Sequence, residues 1–190
     1  MPTLAVVMEY KIGKKAKKRI EDAYALVKPA NHLALEVLEL LTSLYFLRQP
    51  LQESGNLIEN LRSIHLVRLL QDDVVLRLCK FADDDTRSWS FDQAHKRIRK
   101  RHGTEATTTR FLALRERYRE MLQPVEAHRN AYVAHRAKRD RLHLKPIDFR
   151  DATRLAVEIV DVLAGEQCSY MLGDIDLRHE LLGDASTASA

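Results

Sequence analysis

A cluster of residue types able to cleave RNA lies in the segment Ala127–Lys138. Arg129 and Asn130 are adjacent there, and five residues separate Arg129 from His135. Cleavage of RNA through its own 2′-hydroxyl needs a base for that proton, a cation for the phosphorane and an acid for the leaving oxygen. A neutral histidine suits proton transfer because its ordinary pKa of about 6.5 lies near working pH, and a guanidinium suits the phosphate. These residues predict phosphodiester chemistry that needs no metal ion in principle.

Basic side chains surround this cluster and occur in two further runs. Six cations fall between Lys11 and Arg19, and five between Lys96 and Arg101. Such runs can follow a phosphate backbone, but each is also typical of an ordinary solvated helix face, and a net charge of +4 does not decide between the two. Next to the catalytic candidates, the residues expected to contact RNA are Arg136, Lys138, Arg139 and His128.

The order of these residues resembles the motif of the HEPN superfamily. HEPN domains carry an arginine, then a polar residue such as asparagine, then a histidine after a few positions, and Arg129, Asn130 and His135 match that order. The surrounding sequence Arg-Asn-Ala-Tyr-Val-Ala-His-Arg, preceded by Leu-Cys-Lys-Phe-Ala-Asp-Asp and Ser-Trp-Ser-Phe, is similar to the AbiU-type abortive-infection branch. The resemblance spans roughly Asn31 to Met171.

The resemblance implies a helical bundle that forms a homodimer, with two copies of the motif lining one cleft. It implies that His135 acts as general base or acid, that Arg129 holds the phosphate and that Asn130 orients the substrate or its neighbours. It further implies a toxin or phage-defence endoribonuclease without a cofactor, with an antitoxin or regulatory protein as a further candidate partner. The branch regulated by nucleotidylation has a tyrosine two residues after the histidine; Ala137 stands there instead, so that control is not expected.

A second hypothesis is a non-catalytic helical module that binds a partner protein or RNA. An arginine and a histidine at a helix end also satisfy terminal carbonyls and stabilise the negative end of the helix dipole, without any catalysis. A hydrolase that uses a metal ion or a nucleophile has little support, because no ligand set and no serine or cysteine motif is visible in the sequence.

The composition predicts an all-α protein of one domain. With 190 residues, six Gly and five Pro, the chain can bury one core and has few turn-forming residues. We expect a helical domain over 1–182 and a loose tail over 183–190. Cys79 and Cys168 lie in separate apolar segments, which favours a reducing, cytoplasmic setting, and neither an export signal nor a membrane span is expected.

The periodicity of apolar residues predicts about six helices packed as a bundle. The first covers about 14–27 and ends before Pro29, and a second runs from an N-cap at Asn31 to near Pro50. A third begins at Ser54, and the whole of its apolar stripe is expected to be core. The stripe comprises Leu57, Leu61, Ile64, Val67, Leu70, Val74, Leu78 and Phe81.

The remaining predicted helices include the one that leads into the candidate catalytic residues. Ser90 and Gln93 have the spacing of a capping box for a basic fourth helix that ends at Gly103. The residues 107–109 are expected to cap a fifth helix, with Met121 in the core, a bend or interruption at Pro124 and an end near His135. The sixth is expected to begin at 146–148, to bury Leu155, Ile159, Val162 and Leu163, and to end near Gly173.

Overall fold

The computed structural model describes residues 14–50, 56–83, 89–102, 104–130 and 148–183. Within them the protein is an all-α bundle, as predicted, with one short β-hairpin near its end. The elements are α1 (Lys14–Arg48), α2 (Leu57–Phe81), α3 (Phe91–His102), α4 (Glu105–His128), α5 (Arg150–Ala164), β1 (Met171–Leu172), β2 (Ile175–Asp176) and α6 (Leu177–Leu182).

The core forms where α1 and α4 pack against α5, with α2 beside α1 and α4. Helix α5 is strongly amphipathic, and its Leu155, Ile159 and Leu163 are buried as predicted. Helix α1 contributes Leu33 and Leu40, which are fully buried against it. The long apolar stripes of the sequence therefore meet in one continuous cluster, which gives α4 a rigid support.

The predicted break at Pro29 is wrong, because α1 is one continuous helix that contains this proline. Proline removes one helical hydrogen bond and crowds the preceding turn, which costs about 3 kcal/mol. Pro29 and Ala30 are both buried, and the next turns bury Leu33 and Val37. Packing of these turns outweighs the local cost, so the first two predicted helices are a single one.

The predicted sixth helix is too long at its C-terminal end. Helix α5 ends at Gly165, whose φ of 78° is a left-handed conformation that glycine adopts without strain. The chain then forms the antiparallel pair of β1 and β2, which the sequence analysis did not predict. Asp176 Oδ1 accepts hydrogen bonds from the backbone N–H groups of Arg178 and His179, and this cap starts α6.

Several apolar residues that were predicted to lie in the core are exposed. Leu57, Leu61 and Ile64, from the apolar stripe of the third predicted helix, are exposed. They lie in the first half of α2, which the other described elements do not cover. Met121 on α4 is exposed as well. The second half of the same stripe is core as predicted, since Val74, Leu78 and Phe81 are buried.

The helix starts differ from prediction by a few residues. Ser90 Oγ accepts a hydrogen bond from the backbone N–H of Gln93 at 3.4 Å, which fits the predicted cap of α3. Helix α4 is capped by Thr104, whose Oγ1 accepts from the N–H of Thr107 at 3.1 Å, and not by residues 107–109. The division into 1–182 and a tail of 183–190 stays a prediction, because only Gly183 of that tail is described.

None of the described helices combines the length and the apolarity that crossing a bilayer requires. The predicted cytoplasmic setting stays a prediction.

Candidate active site

The candidate site lies at the C-terminal end of α4. This helix passes through Pro124 without interruption and is followed by Arg129 and Asn130 in a π-helical turn. The backbone N–H of Arg129 points to the carbonyls of both Val125 and Glu126. Single π-helical turns are rare in proteins and are frequent at functional sites.

Helix α4 is held in place by its contacts with α2 and α3. The hydroxyl of Tyr118, fully buried, donates a hydrogen bond to the carbonyl oxygen of Leu78 at 2.6 Å. The Tyr118 ring meets the edge of Phe91, which stacks on Phe81 with ring centroids 4.9 Å apart. A buried, bonded aromatic cluster of this kind fixes the direction of the helix, and therefore the position of its last turn.

His128 is buried and belongs to the packing between α4 and α2. Its exposed fraction is only 5%, and burial lowers the pKa of the imidazole, while the Asp72 carboxylate on α2 acts in the opposite direction. A side chain this deep cannot reach an RNA strand without leaving the core. The structure therefore gives His128 a packing role at the end of α4 and does not present it to RNA.

Arg129 lies half-buried at the boundary between α4 and α2. Its Nε donates a hydrogen bond to Asn130 Oδ1 at 3.2 Å, and its guanidinium lies close enough to the Cys79 thiol to affect that group. No carboxylate within the described part of the chain forms an ion pair with Arg129, whereas Arg77, Arg115 and Arg178 all have one. Within the described ranges, no acidic side chain therefore neutralises the charge of Arg129.

Cys79 itself is not a candidate nucleophile. Burial is the main cause that raises the pKa of its thiol to about 11; the Arg129 guanidinium acts in the opposite direction, and the Glu126 carboxylate adds to the rise. The thiol therefore stays protonated near neutral pH, and a protonated thiol is a poor nucleophile. The buried, protonated thiol packs beside Arg129 as a weakly polar neighbour.

Asn130 is exposed, and its amide oxygen faces Arg129. The hydrogen bond between them orients the Nε side of the guanidinium toward Asn130. His135, Arg136, Lys138 and Arg139 lie outside the described residues. The structure thus places two of the three predicted catalytic residues in contact with each other.

Asp72 and Cys79 contribute to this region, and the sequence analysis did not assign them to it. They are seven residues apart on α2, so they lie on one side of that helix, and both face the end of α4. Helical spacing could have grouped Asp72 with Cys79, but nothing in the sequence pairs α2 with α4.

A separate cavity of about 280 Å³ lies among α1, α5 and α6, and Leu44, Phe149 and Leu182 are among its lining residues. Arg48 donates to the carbonyl oxygen of Leu181 at 3.1 Å, and Arg154 donates to that of Leu182 at 3.0 Å. These arginines satisfy carbonyls that the end of α6 leaves without helical partners, which is a structural role.

Within the described ranges, no three His, Cys, Asp or Glu side chains are grouped in a way that could hold a metal ion. Comparisons of the whole chain with protein-family models, with curated proteins and with solved structures found no match.

Proposed function

We propose that the protein is a metal-independent endoribonuclease of the HEPN type that acts as a homodimer, in the manner of toxins and phage-defence effectors. The observation that carries this proposal is the state of Arg129, whose half-buried guanidinium has no carboxylate partner among the described residues and is fixed by Asn130. An arginine in that state is ready to bind a phosphate through two parallel hydrogen bonds.

The proposed reaction uses Arg129, Asn130 and His135. The 2′-hydroxyl of RNA loses its proton to an imidazole of His135 and attacks the adjacent phosphorus, while Arg129 stabilises the charge on the phosphorane. The 5′-oxygen then leaves with a proton from a general acid, and the products are a 2′,3′-cyclic phosphate and a free 5′-hydroxyl. Arg136, Lys138 and Arg139 would hold the flanking phosphates.

The decisive test is cleavage of end-labelled RNA by the purified chain in excess chelator. We expect cleavage by the wild type, loss of about a hundredfold or more for His135→Ala and Arg129→Ala, and partial loss for Arg129→Lys, which keeps the charge without the planar fork. Arg117→Ala, an exposed arginine on α4, is the matched control and should cleave normally.

Three results would contradict the proposal. They are cleavage that persists undiminished in the His135→Ala protein, cleavage of an RNA whose 2′-hydroxyls are replaced by hydrogen, and an RNA left intact by wild-type protein that is folded and dimeric. Sedimentation and thermal unfolding of each variant separate a loss of chemistry from a loss of fold or of the dimer.

A further inference from the structure

Helix α3 presents a basic surface that the candidate active site does not use. Of its side chains from residue 91 to 100, four are exposed, and all four are cations. At a rise of about 1.5 Å per residue, they lie within roughly 6 Å along the helix axis. Positive charge is therefore concentrated over little more than one helical turn. We call these four residues the basic face of α3, and they are Lys96, Arg97, Arg99 and Lys100.

The charge around the basic face of α3 is in positive excess. From residue 89 to 110 there are six Lys and Arg residues and two acidic residues, Asp92 and one at the start of α4. Asp92 Oδ2 is bound by two guanidiniums of α4, with Arg115 Nη2 at 2.6 Å and Arg119 Nη2 at 3.5 Å. The aspartates at 83–85 precede the opposite, N-terminal end of α3. No carboxylate of a described residue forms an ion pair with any member of the basic face.

The other residues of α3 indicate what kind of partner fits the basic face. None of the large apolar side chains that are exposed in the described part of the chain belongs to α3. Its own apolar residues pack into the core, where Phe91 and Ala94 are buried and Ile98 is partly buried. Protein interfaces have an apolar centre, and helices that lie on membranes insert an apolar side. A face that offers cations alone instead matches a chain of phosphates.

The basic face of α3 has a fixed position on the protein. His95 stacks on Phe111 of α4 with ring centroids 4.1 Å apart, which joins the two helices. The guanidinium of Arg97 lies over the ring of Trp89, 4.4 Å from its centroid. Phe111 precedes Arg129 by eighteen residues, which corresponds to about 27 Å along α4. The basic face is therefore preorganised, and it lies too far from Arg129 for a single phosphate to contact both.

We propose that the basic face of α3 binds the phosphate backbone of RNA, at a distance from the candidate active site. Lys96 and Lys100 are four residues apart and therefore share one side of the helix, with Arg97 and Arg99 on its two flanks. Ammonium and guanidinium groups bind phosphates through charge-assisted hydrogen bonds and release counterions. Contacts of this kind do not read the base sequence. The choice of RNA among polyanions rests on the proposed function, whereas the binding itself does not require cleavage.

The test is fluorescence anisotropy of the full chain with a labelled RNA strand that is longer than α4 and has methylated 2′-hydroxyls. Methylation removes the attacking group, so binding is measured whether or not the chain is a nuclease. Lys96→Gln with Arg99→Gln and Lys100→Gln should weaken binding at least about tenfold at low salt. The same variant should reduce the slope of log K against log salt by about 2, at roughly 0.7 for each lost phosphate contact.

A matched control removes the same charge elsewhere. Arg62→Gln with Arg68→Gln and Arg117→Gln takes three cations from exposed positions on α2 and α4, and it should bind within about twofold of wild type. Arg97 is kept in both variants because of its aromatic contact. If the chain cleaves unmodified RNA, the α3 variant should raise KM and leave kcat unchanged, since it removes binding far from Arg129.

The proposal is overturned if the α3 variant and the control bind the RNA with equal affinity and equal salt dependence. A loss of thermal stability without a loss of binding would then show that the cations only stabilise the end of the helix dipole. It is also overturned if the wild type does not bind the RNA, or binds polyglutamate as tightly as RNA of the same charge. Binding to anionic lipid vesicles without binding to RNA assigns the face to a membrane, and it too overturns the proposal.

The outcomes for this face and for the nuclease are distinguishable. RNA binding through α3 by a chain that cleaves nothing supports this proposal and contradicts the nuclease. Cleavage whose KM is the same in the α3 variant and in the wild type supports the nuclease and contradicts this proposal. Far-UV circular dichroism establishes that each variant is folded.

Discussion

Both halves of α2 are rich in apolar residues, but their surroundings differ. In the second half, Val74, Val75 and Leu78 are fully buried between α1, α4 and α5. In the first half, Leu61 is 56% exposed and Leu57 is 71% exposed, although both belong to the same apolar stripe as Leu78. The contrast arises because the helices that pack on α2 cover it unequally along its length.

The difference shows that apolar periodicity specifies a face without specifying what covers it. In the second half the covering groups belong to this chain, such as Tyr118, which bonds the backbone at Leu78. In the first half, the described residues provide no such cover for Leu57 and Leu61. The candidate active site lies along the packed half of α2, where Asp72 and Cys79 are close to the end of α4.

The substitutions Leu78→Ala and Leu61→Ala test the difference between the two halves of α2 most directly. Leu78→Ala should lower the free energy of unfolding by about 2–5 kcal/mol, since it opens a cavity in the core. Leu61→Ala should stay within about 0.5 kcal/mol of wild type. Both changes make the same replacement inside one helix, so helix propensity cancels in the comparison, and denaturant unfolding of the isolated protein measures both.

Equal losses from the two substitutions would contradict the comparison, because Leu61 would then be covered in the isolated protein in solution. A loss from Leu61→Ala that grows with protein concentration would have the same meaning, since it would reveal burial against a second copy.

Most of the helical architecture could be predicted from sequence because it follows from local patterns. The apolar spacing of Leu155, Ile159 and Leu163 marked the buried side of α5, and Ser90 marked the start of α3. Pro29 misled the prediction because its cost is local while the packing that overrides it is tertiary. The predicted end of α5 near Gly173 is wrong because Gly165, which also carries a helix-terminating signal, adopts the left-handed conformation first.

The candidate site was predictable only where it is contiguous in sequence. Arg129 and Asn130 are neighbours in the chain, and their hydrogen bond follows from that proximity. The burial of His128 and the approach of Cys79 to Arg129 depend on how α4 crosses α2, which no spacing in either helix reveals. Whether the motif cleaves RNA stays a prediction that the assay with His135→Ala decides.

Two arginines of α2 provide a second test of the difference between its halves. Arg77, in the packed half, donates to Asp73 Oδ2 at 2.8 Å and to Glu36 Oε2 at 3.0 Å, and it also bonds Glu39. Arg77→Ala should cost about 1–2 kcal/mol of unfolding free energy, because it strands partly buried carboxylates.

Arg62→Ala, in the exposed half, should change stability by less than about 0.5 kcal/mol. Thermal or denaturant unfolding at low and at high salt checks both, and the cost of Arg77→Ala should shrink as salt screens the carboxylates. A cost for Arg62→Ala as large as that for Arg77→Ala would show that Arg62 has an acidic partner within the isolated chain.

The smallest expected effect concerns His128, where α4 meets α2. Burial lowers the pKa of this imidazole below the ordinary 6.5, so the unfolded chain binds the proton first as the pH falls. The stabilisation is complete above pH 6.5 and declines below it, by at most about 1.4 kcal/mol per pH unit.

The wild type should therefore lose more stability than His128→Gln between pH 7.5 and roughly 5.5, measured by denaturant unfolding. Because Asp72 raises the pKa of His128, Asp72→Asn should lower that pKa further and extend the decline to lower pH. A His128→Gln protein with the same pH dependence as wild type would show that this imidazole is solvated, and that α4 does not hold its last turn against α2 as described.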